Sequence, residues 1–282
     1  MRTISVAKKD FRDALQSRAL WGLVVVFVAV LLITTYAYVE FPELFSSNAT
    51  ATFGGLLFYT SGIVAPFIPL AAIVVCFKSI AGERELGSIK ILLSLPLTRR
   101  DAFSGKVIGR GAVLGVGLGI GLLVGLAFGA IMLGSVAVVP LVLFLLVTLV
   151  FAALYASVMV SLSALTGSTA RATTLAIGYF VVFEAVWDVV PLAIVYVLEG
   201  FTIPSELPEW VFLIQQLSPS TAYTNAIIAL LPDIAADLGE GLDGAAENMA
   251  FYVTPEVGFV FLLFWLVMPP VIAYNRFDRA DL

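Results

Sequence analysis

Chemistry has few places to occur in this chain. It contains no His and one Cys, Cys76, so an imidazole base, an internal disulfide and a soft-metal ligand set are all absent from its inventory. There is no G-x-x-x-x-G-K-[S/T] phosphate loop. Gly105 precedes Lys106, but position 100 is Arg and position 107 is Val. No catalytic residue, metal or cofactor of its own is therefore expected, and the chain does not read as an enzyme. Two concentrations of polar side chains remain. Glu184 and Asp188 stand in an otherwise apolar run, four apart and hence on one helical face. The other is the charged stretch from Ala81 to Lys106.

The elements that position these groups are apolar. The chain has 282 residues, 61% hydrophobic and 12% charged, with a mean hydropathy of +1.05. That excludes a soluble globular domain. Crossing the roughly 30 Å hydrocarbon core takes about 20 apolar residues. Six stretches qualify: Ala19–Val39, Gly55–Phe77, two within Gly111–Ala170 divided near Gly134-Ser135 and Pro140, Ala172–Leu198, and Val257–Tyr274. The fifteen Lys and Arg fall in Arg2–Arg18, Lys78–Arg110, Arg171 and Arg276–Arg279. With six spans all of them land on one side, which the positive-inside rule makes the cytoplasm. The expected fold is an all-α integral membrane protein with both termini inside, multi-pass in the plasma membrane.

The acidic residues agree with this orientation. Eleven of the twenty fall on the expected outside with no Lys or Arg among them: Glu40, Glu43, Glu199, Glu206, Glu209, Asp233, Asp237, Glu240, Asp243, Glu247 and Glu256. The low pI of about 4.8 and the excess of Arg over Lys suggest a salt-adapted source of haloarchaeal type. The N-terminal run is long and lacks a small-x-small site, so it does not read as a cleaved signal.

The whole of 1–282 reads as one transmembrane domain with three further parts. Residues 1–18 place Ile4, Phe11 and Leu15 on one helical face and Lys8, Lys9, Arg12 and Asp13 on the others. This predicts an amphipathic interfacial helix, the alternative being a solvated basic start. The third span carries two four-residue glycine series, Gly111/115/119 and Gly117/121/125/129. These predict close packing within the chain, with a dimer contact and a pore strip as alternatives. The outer segment 199–256 contains Trp210–Leu217 and Ala222–Leu231, too short to span. Ser218-Pro219 starts the second of these helices and Pro232 ends it. Two short re-entrant helices in the outer leaflet are expected, with Trp210 and Tyr223 at interfacial depth. The acidic Asp233–Asn248 stretch reads as mobile.

The 78–110 segment reads AGERELGSIKILLSLPLTRRDAFSGK from Ala81 to Lys106. Glu83, Arg84 and Glu85 should carry the second span into water, and Gly87-Ser88 permits a break. Ile89–Leu95 should form a short helix showing Ile89, Leu92 and Leu93, ended by Pro96. Thr98 should cap the next helix with Asp101 returning the bond. Such a helix suits the groove of a soluble partner, or it is a structured loop without one. The segment resembles the signature of the ABC-2-type transporter permeases, through Gly82, Glu83, Glu85, Gly87, Ser88, Leu92, Leu93, Ser94, Pro96, Thr98, Arg99, Gly105 and Lys106. Leu217–Ser220 resembles a second recurring element of that family. Within the family, the chain is similar to the NosY-like permeases.

The resemblance implies a function. Two permease subunits, as a homodimer, would form an export pathway. Two copies of a separate ATPase subunit, carrying the ATP and Mg, would dock on the coupling segment and drive the spans between inward and outward states. Its partners are thus the ATPase, a second copy and the bilayer; no nucleic acid is expected. Glu184 and Asp188 then have two readings. Either they form a cation-attracting or proton-linked site in the translocation path, because a charge at mid-bilayer costs about 2.5–3.5 kcal/mol and must face protein or water, or the span ends near Trp187 and Pro191 and they line an outer vestibule. A different class, an ion-coupled secondary carrier built on Glu184/Asp188, predicts internal repeats and broken helices in both halves, and neither is visible in the sequence. A membrane enzyme lacks the nucleophiles and bases it would need.

Overall fold

The computed structural model describes residues 2–44, 51–94, 97–204, 207–231, 251–252 and 254–280. Among them there is no strand. An N-terminal helix, α1 (Arg2–Leu15), precedes α2 (Arg18–Glu40) and α3 (Phe53–Cys76). Two short helices follow, α4 (Ala81–Glu85) and α5 (Ser88–Ser94), and then two long ones, α6 (Arg99–Leu133) and α7 (Val138–Ala164). Next come α8 (Thr169–Phe180), a π-helical segment (Val181–Val186), α9 (Val189–Leu198), α10 (Glu209–Gln215), α11 (Pro219–Leu230) and α12 (Val257–Asp278). Six stretches are long and apolar enough to cross a membrane: α2, α3 continued through α4, α6, α7, α8 with the π segment, and α12.

Local chemistry explains several boundaries. Thr98 caps α6, and its hydroxyl accepts from the Asp101 amide at 3.1 Å while the Asp101 carboxylate accepts from the Thr98 amide at 3.2 Å. Gly134 closes the same helix at φ +65, a left-handed position that suits glycine. Ser218 caps α11 and Pro219 occupies its first turn.

Glycine fixes the packing of α6. A Cβ on Gly121 would lie 2.4 Å from Phe27 Cδ1, one on Gly125 2.8 Å from Leu31 Cβ, and one on Gly129 2.3 Å from Leu56 Cδ2. Gly117 faces Val24. This series therefore seats α2 and α3, as intramolecular packing requires. In the other series Gly111 and Gly115 face α7 at ordinary contact distance, and Gly119 faces open space.

One end of the bundle gathers both termini. Thr3 donates to Asp101 at 2.6 Å, Arg99 donates to carbonyls of Phe277, Asp278 and Ala280 at 3.0, 2.9 and 2.6 Å, and Ser163 accepts from the Ile80 and Ala81 amides. The segments bearing the fifteen basic residues all lie at this end.

One expectation is corrected, and two others gain detail. The fifth apolar run is not one helix from Ala172 to Leu198: it changes to π geometry at Val181 and breaks at Trp187-Asp188 before α9. Tyr223 faces protein on every side. It is fully buried, stacked on Phe151 at 4.4 Å and hydrogen-bonded to Thr148 at 2.9 Å, because α11 packs among α3, α7 and α12. On α1 the buried face is Val6, Ala7, Asp10 and Ala14, whereas Ile4 is 69% exposed. Glycine again sets that face, since Gly105 and Gly109 of α6 let Val6 and the Ala7 carbonyl approach to 2.6 and 2.9 Å of a Cβ position. Pro96, Pro232, Glu206 and the 233–248 stretch, with Asp233, Asp237, Glu240, Asp243 and Glu247, lie outside the described residues.

Candidate functional site

The 78–110 segment forms a hinge bolted to the bundle. Lys106 is nearly fully buried and donates to Glu83 at 2.8 Å; Asp10 of α1 lies 3.5 Å from the same ammonium. Arg110 closes on Asp10 through Nε at 2.8 Å and Nη2 at 3.1 Å, and gives its Nη1 to the Val75 carbonyl at 2.7 Å. Two cations thus meet two carboxylates across α1, α4 and α6. Taking charges out of water costs several kcal/mol per ion, and this arrangement offsets it with opposite charges and hydrogen bonds.

Glu83, Arg84 and Glu85 do not simply run out into water. Arg84 donates to the Ala164 carbonyl at 3.2 Å, and Glu85 accepts from the Thr169 amide at 2.9 Å, pinning the start of α8. Gly87 takes φ +70 at the break between α4 and α5. Ser88 returns a hydroxyl to the Glu83 carbonyl at 3.3 Å. A Cβ on Gly82 would lie 3.6 Å from Lys78 Cβ, an ordinary contact distance. Ile89, expected to face a partner, is 2% exposed and belongs to the core, because α5 folds back onto the bundle. Leu92 and Leu93 lie in α5, but their side chains are outside the description. The apolar side chain that does project is Leu86, 84% exposed at the tip of the hinge.

Sequence reasoning thus found Glu83 and Lys106 without finding that they pair, and missed Asp10, Arg110 and Leu86. The signal for Asp10 was available: it is an acid on the small-residue face of α1, four residues before Ala14 and three after Ala7.

The in-span carboxylates meet a different environment. Glu184 accepts hydrogen bonds from the hydroxyls of Tyr155 on α7 and Ser220 on α11. No cation pairs with it among the described residues. Asp188 is exposed and accepts from Thr221 at 3.3 Å. The two are held by neighbouring hydroxyls in the first turn of α11, so the Leu217–Ser220 run works as a clamp on the fifth span. Trp187 reinforces it by donating to the Ile214 carbonyl at 2.7 Å. Aromatic rings surround the break: Phe183 stacks on Trp187 at 5.0 Å and meets Trp265 edge-on at 4.9 Å. Among the described residues no group of three or more His, Cys, Asp or Glu side chains could hold a metal.

The profile of the ABC-2 family transporter proteins matches residues 4–282. Two proteins named "Probable ABC transporter permease protein NosY" are similar to the chain. That of Stutzerimonas stutzeri is 25% identical over 287 aligned positions, covering 98% of this chain and 97% of the relative. That of Pseudomonas aeruginosa is 26% identical over 230, covering 78% of each. Neither supports the salt-adapted source suggested by composition. Six bilayer-length helices, the hinged signature segment and a match across nearly the whole chain converge: the protein belongs to the ABC-2 family and is a multi-pass membrane permease subunit of an ABC transporter.

Proposed function

We propose that this chain is the membrane half of an ATP-driven exporter in the plasma membrane, oriented with both termini in the cytoplasm and working as a homodimer with two copies of a separate ATPase. The chain binds no cofactor; ATP and Mg belong to the ATPase. The basic residues at one end of the bundle support the orientation, since Lys and Arg flanking spans stay inside. Helices α10 and α11 then lie toward the outer leaflet as re-entrant elements.

The observation that carries the reading is the hinge. Leu86 projects into solvent, while Glu83–Lys106 and Glu85–Thr169 tie the same short helix to α6 and α8. An ATPase groove closing on Leu86 and α5 would move α4 as a lever. Its displacement would pass to the third span through Lys106 and to the fifth through Thr169. The fifth span holds Glu184, with Asp188 at the break that ends it, so the push arrives at the groups best suited to a translocation path. Family membership sets the ion-coupled carrier aside, even though the fifth span is broken.

The test is co-purification of the chain with its cognate ATPase and assay of ATP hydrolysis in lipid. Leu86→Asp should lose the ATPase while the permease stays folded. Glu83→Ala/Glu85→Ala should retain some association but uncouple hydrolysis from transport. Wild-type coupling in both variants would overturn the proposed docking.

A further inference from the structure

Outside these two sites, one groove combines the two chemistries of an amphiphile. It lies at the elbow between α1 and α2, a cavity of about 130 Å³ lined by Ser17, Leu20, Val74, Phe77, Lys78 and Arg110 among others. The gap that Leu20 also lines with Leu23, Phe27, Phe67 and Ala71, between α2, α3 and α6, holds only about 10 Å³ and is closed by these side chains. The apolar wall of the groove is on its outer side, where the exposed Val74 lines the same cavity as Lys78.

The charge of the pocket is set by Lys78. Arg110 is committed to Asp10 and the Val75 carbonyl. Lys78 has no carboxylate within ion-pair distance among the described residues; its ammonium sits 5.0 Å above the Phe77 ring, exposed. With Asp10 answered by Lys106 and Arg110, the pocket keeps a net positive charge. Its height is also fixed. Helix α2 begins at Arg18 and α3 ends at Cys76, so both spans reach the headgroup boundary here. Trp21 marks the same level, its indole donating to the Leu15 carbonyl at 2.8 Å. Above it Leu70 and Val74, each 45% exposed, continue an apolar track along α3.

We infer that this groove binds one anionic phospholipid, its phosphate on Lys78 and the Ser17 hydroxyl and one acyl chain along the exposed Leu70 and Val74 side chains of α3. Basic pockets between spans select such headgroups. The lipid would brace the elbow of α1 against the start of the coupling segment. The inference needs the protein to be in a bilayer, and it stands independently of ATPase docking.

The full-length chain, purified from membranes containing phosphatidylcholine and phosphatidylglycerol, is examined by native mass spectrometry for retained lipid. Wild type should keep one phosphatidylglycerol. Lys78→Gln should lower its retention about fivefold, the worth of one basic side chain at an anionic surface, and Lys78→Arg should restore it. Val74→Trp, at a lipid-exposed position that does not threaten folding, should block the acyl track and expel the lipid with all charges intact. Arg171→Gln, a basic site at the same end, should change nothing. Unchanged retention in Lys78→Gln or Val74→Trp, or equal loss in Arg171→Gln, would overturn the site. Inorganic phosphate is the second probe: if it raised thermal stability in a Lys78-dependent way as well as phosphatidylglycerol does, the site would take an anion and not a lipid.

Discussion

The two polar sites of this protein stabilise carboxylates in opposite ways. At the end that gathers the termini, Asp10 and Glu83 are answered by Lys106 and Arg110. In the fifth span Glu184 is answered by hydroxyls alone, from Tyr155 and Ser220. A charge-compensated network resists change, because moving any member strands a buried charge. A carboxylate held by neutral donors keeps its partners in either protonation state, since a hydroxyl can donate or accept. The first design suits a rigid lever, the second a site whose occupancy changes during a cycle.

The largest test of that contrast is Lys106→Met. It leaves Asp10 and Glu83 facing each other with one cation fewer and should cost about 3–5 kcal/mol, seen as a steep fall in unfolding temperature in detergent. Adding Asp10→Asn should recover part of the loss, because the double change strands less charge. Strict additivity of the two would argue against a network. Next in size are Gly258→Ala and Gly121→Ala. The first puts a Cβ 2.5 Å from the Ala222 carbonyl of α11, the second 2.4 Å from the Phe27 ring. Each should cost about 1–3 kcal/mol; Gly258→Ala should be the worse, since backbone cannot swing aside as a ring can. A neutral Gly258→Ala would mean that α11 is loosely seated and that its clamp on Glu184 is weak.

Smaller still is Glu184→Gln. The amide oxygen can accept one of the two hydroxyls and the amide NH2 can donate to the other once its O–H turns away, so the change should cost within about 1 kcal/mol, while transport by the assembled complex falls severalfold. A large stability loss with normal transport would make Glu184 a structural group. Last is Leu86→Asp, an exposed change worth within about 0.5 kcal/mol. Its effect should appear only in ATPase association, as measured by co-purification. If instead it destabilised the permease alone, the tip of the hinge would be packing within the chain.

What the sequence made legible follows from range. All six spans could be read because apolar length is a property of contiguous residues. The Thr98–Asp101 box was readable for the same reason, with partners three residues apart. The Glu83–Lys106 pair is separated by 23 positions and the Asp10–Lys106 pair by 96, so nothing local announces them. The glycines of α6 foretold close packing, while their partners Phe27 and Leu31 became known only from the fold. The π geometry that shortens the fifth span was not legible, because Val181–Val186 has no Gly or Pro to mark it. Its partners are remote in sequence: Tyr155, Ser220 and the Ile214 carbonyl.

That π segment has a bearing on heredity. A π turn holds one more residue than the α turn it replaces, so Val181–Val186 is what a single-codon insertion into an ordinary span would leave behind. Deleting one residue there, for example Val182, would restore the α register and rotate everything before it by about 100° relative to everything after it. Glu184 and Asp188 both follow the deletion, so with α8 in its place they would swing together away from Tyr155, Ser220 and Thr221. Lineages that lost the codon would keep a membrane helix of adequate length and lose the clamp, and frame-preserving indels in this stretch would therefore be tolerated by folding and counted by transport.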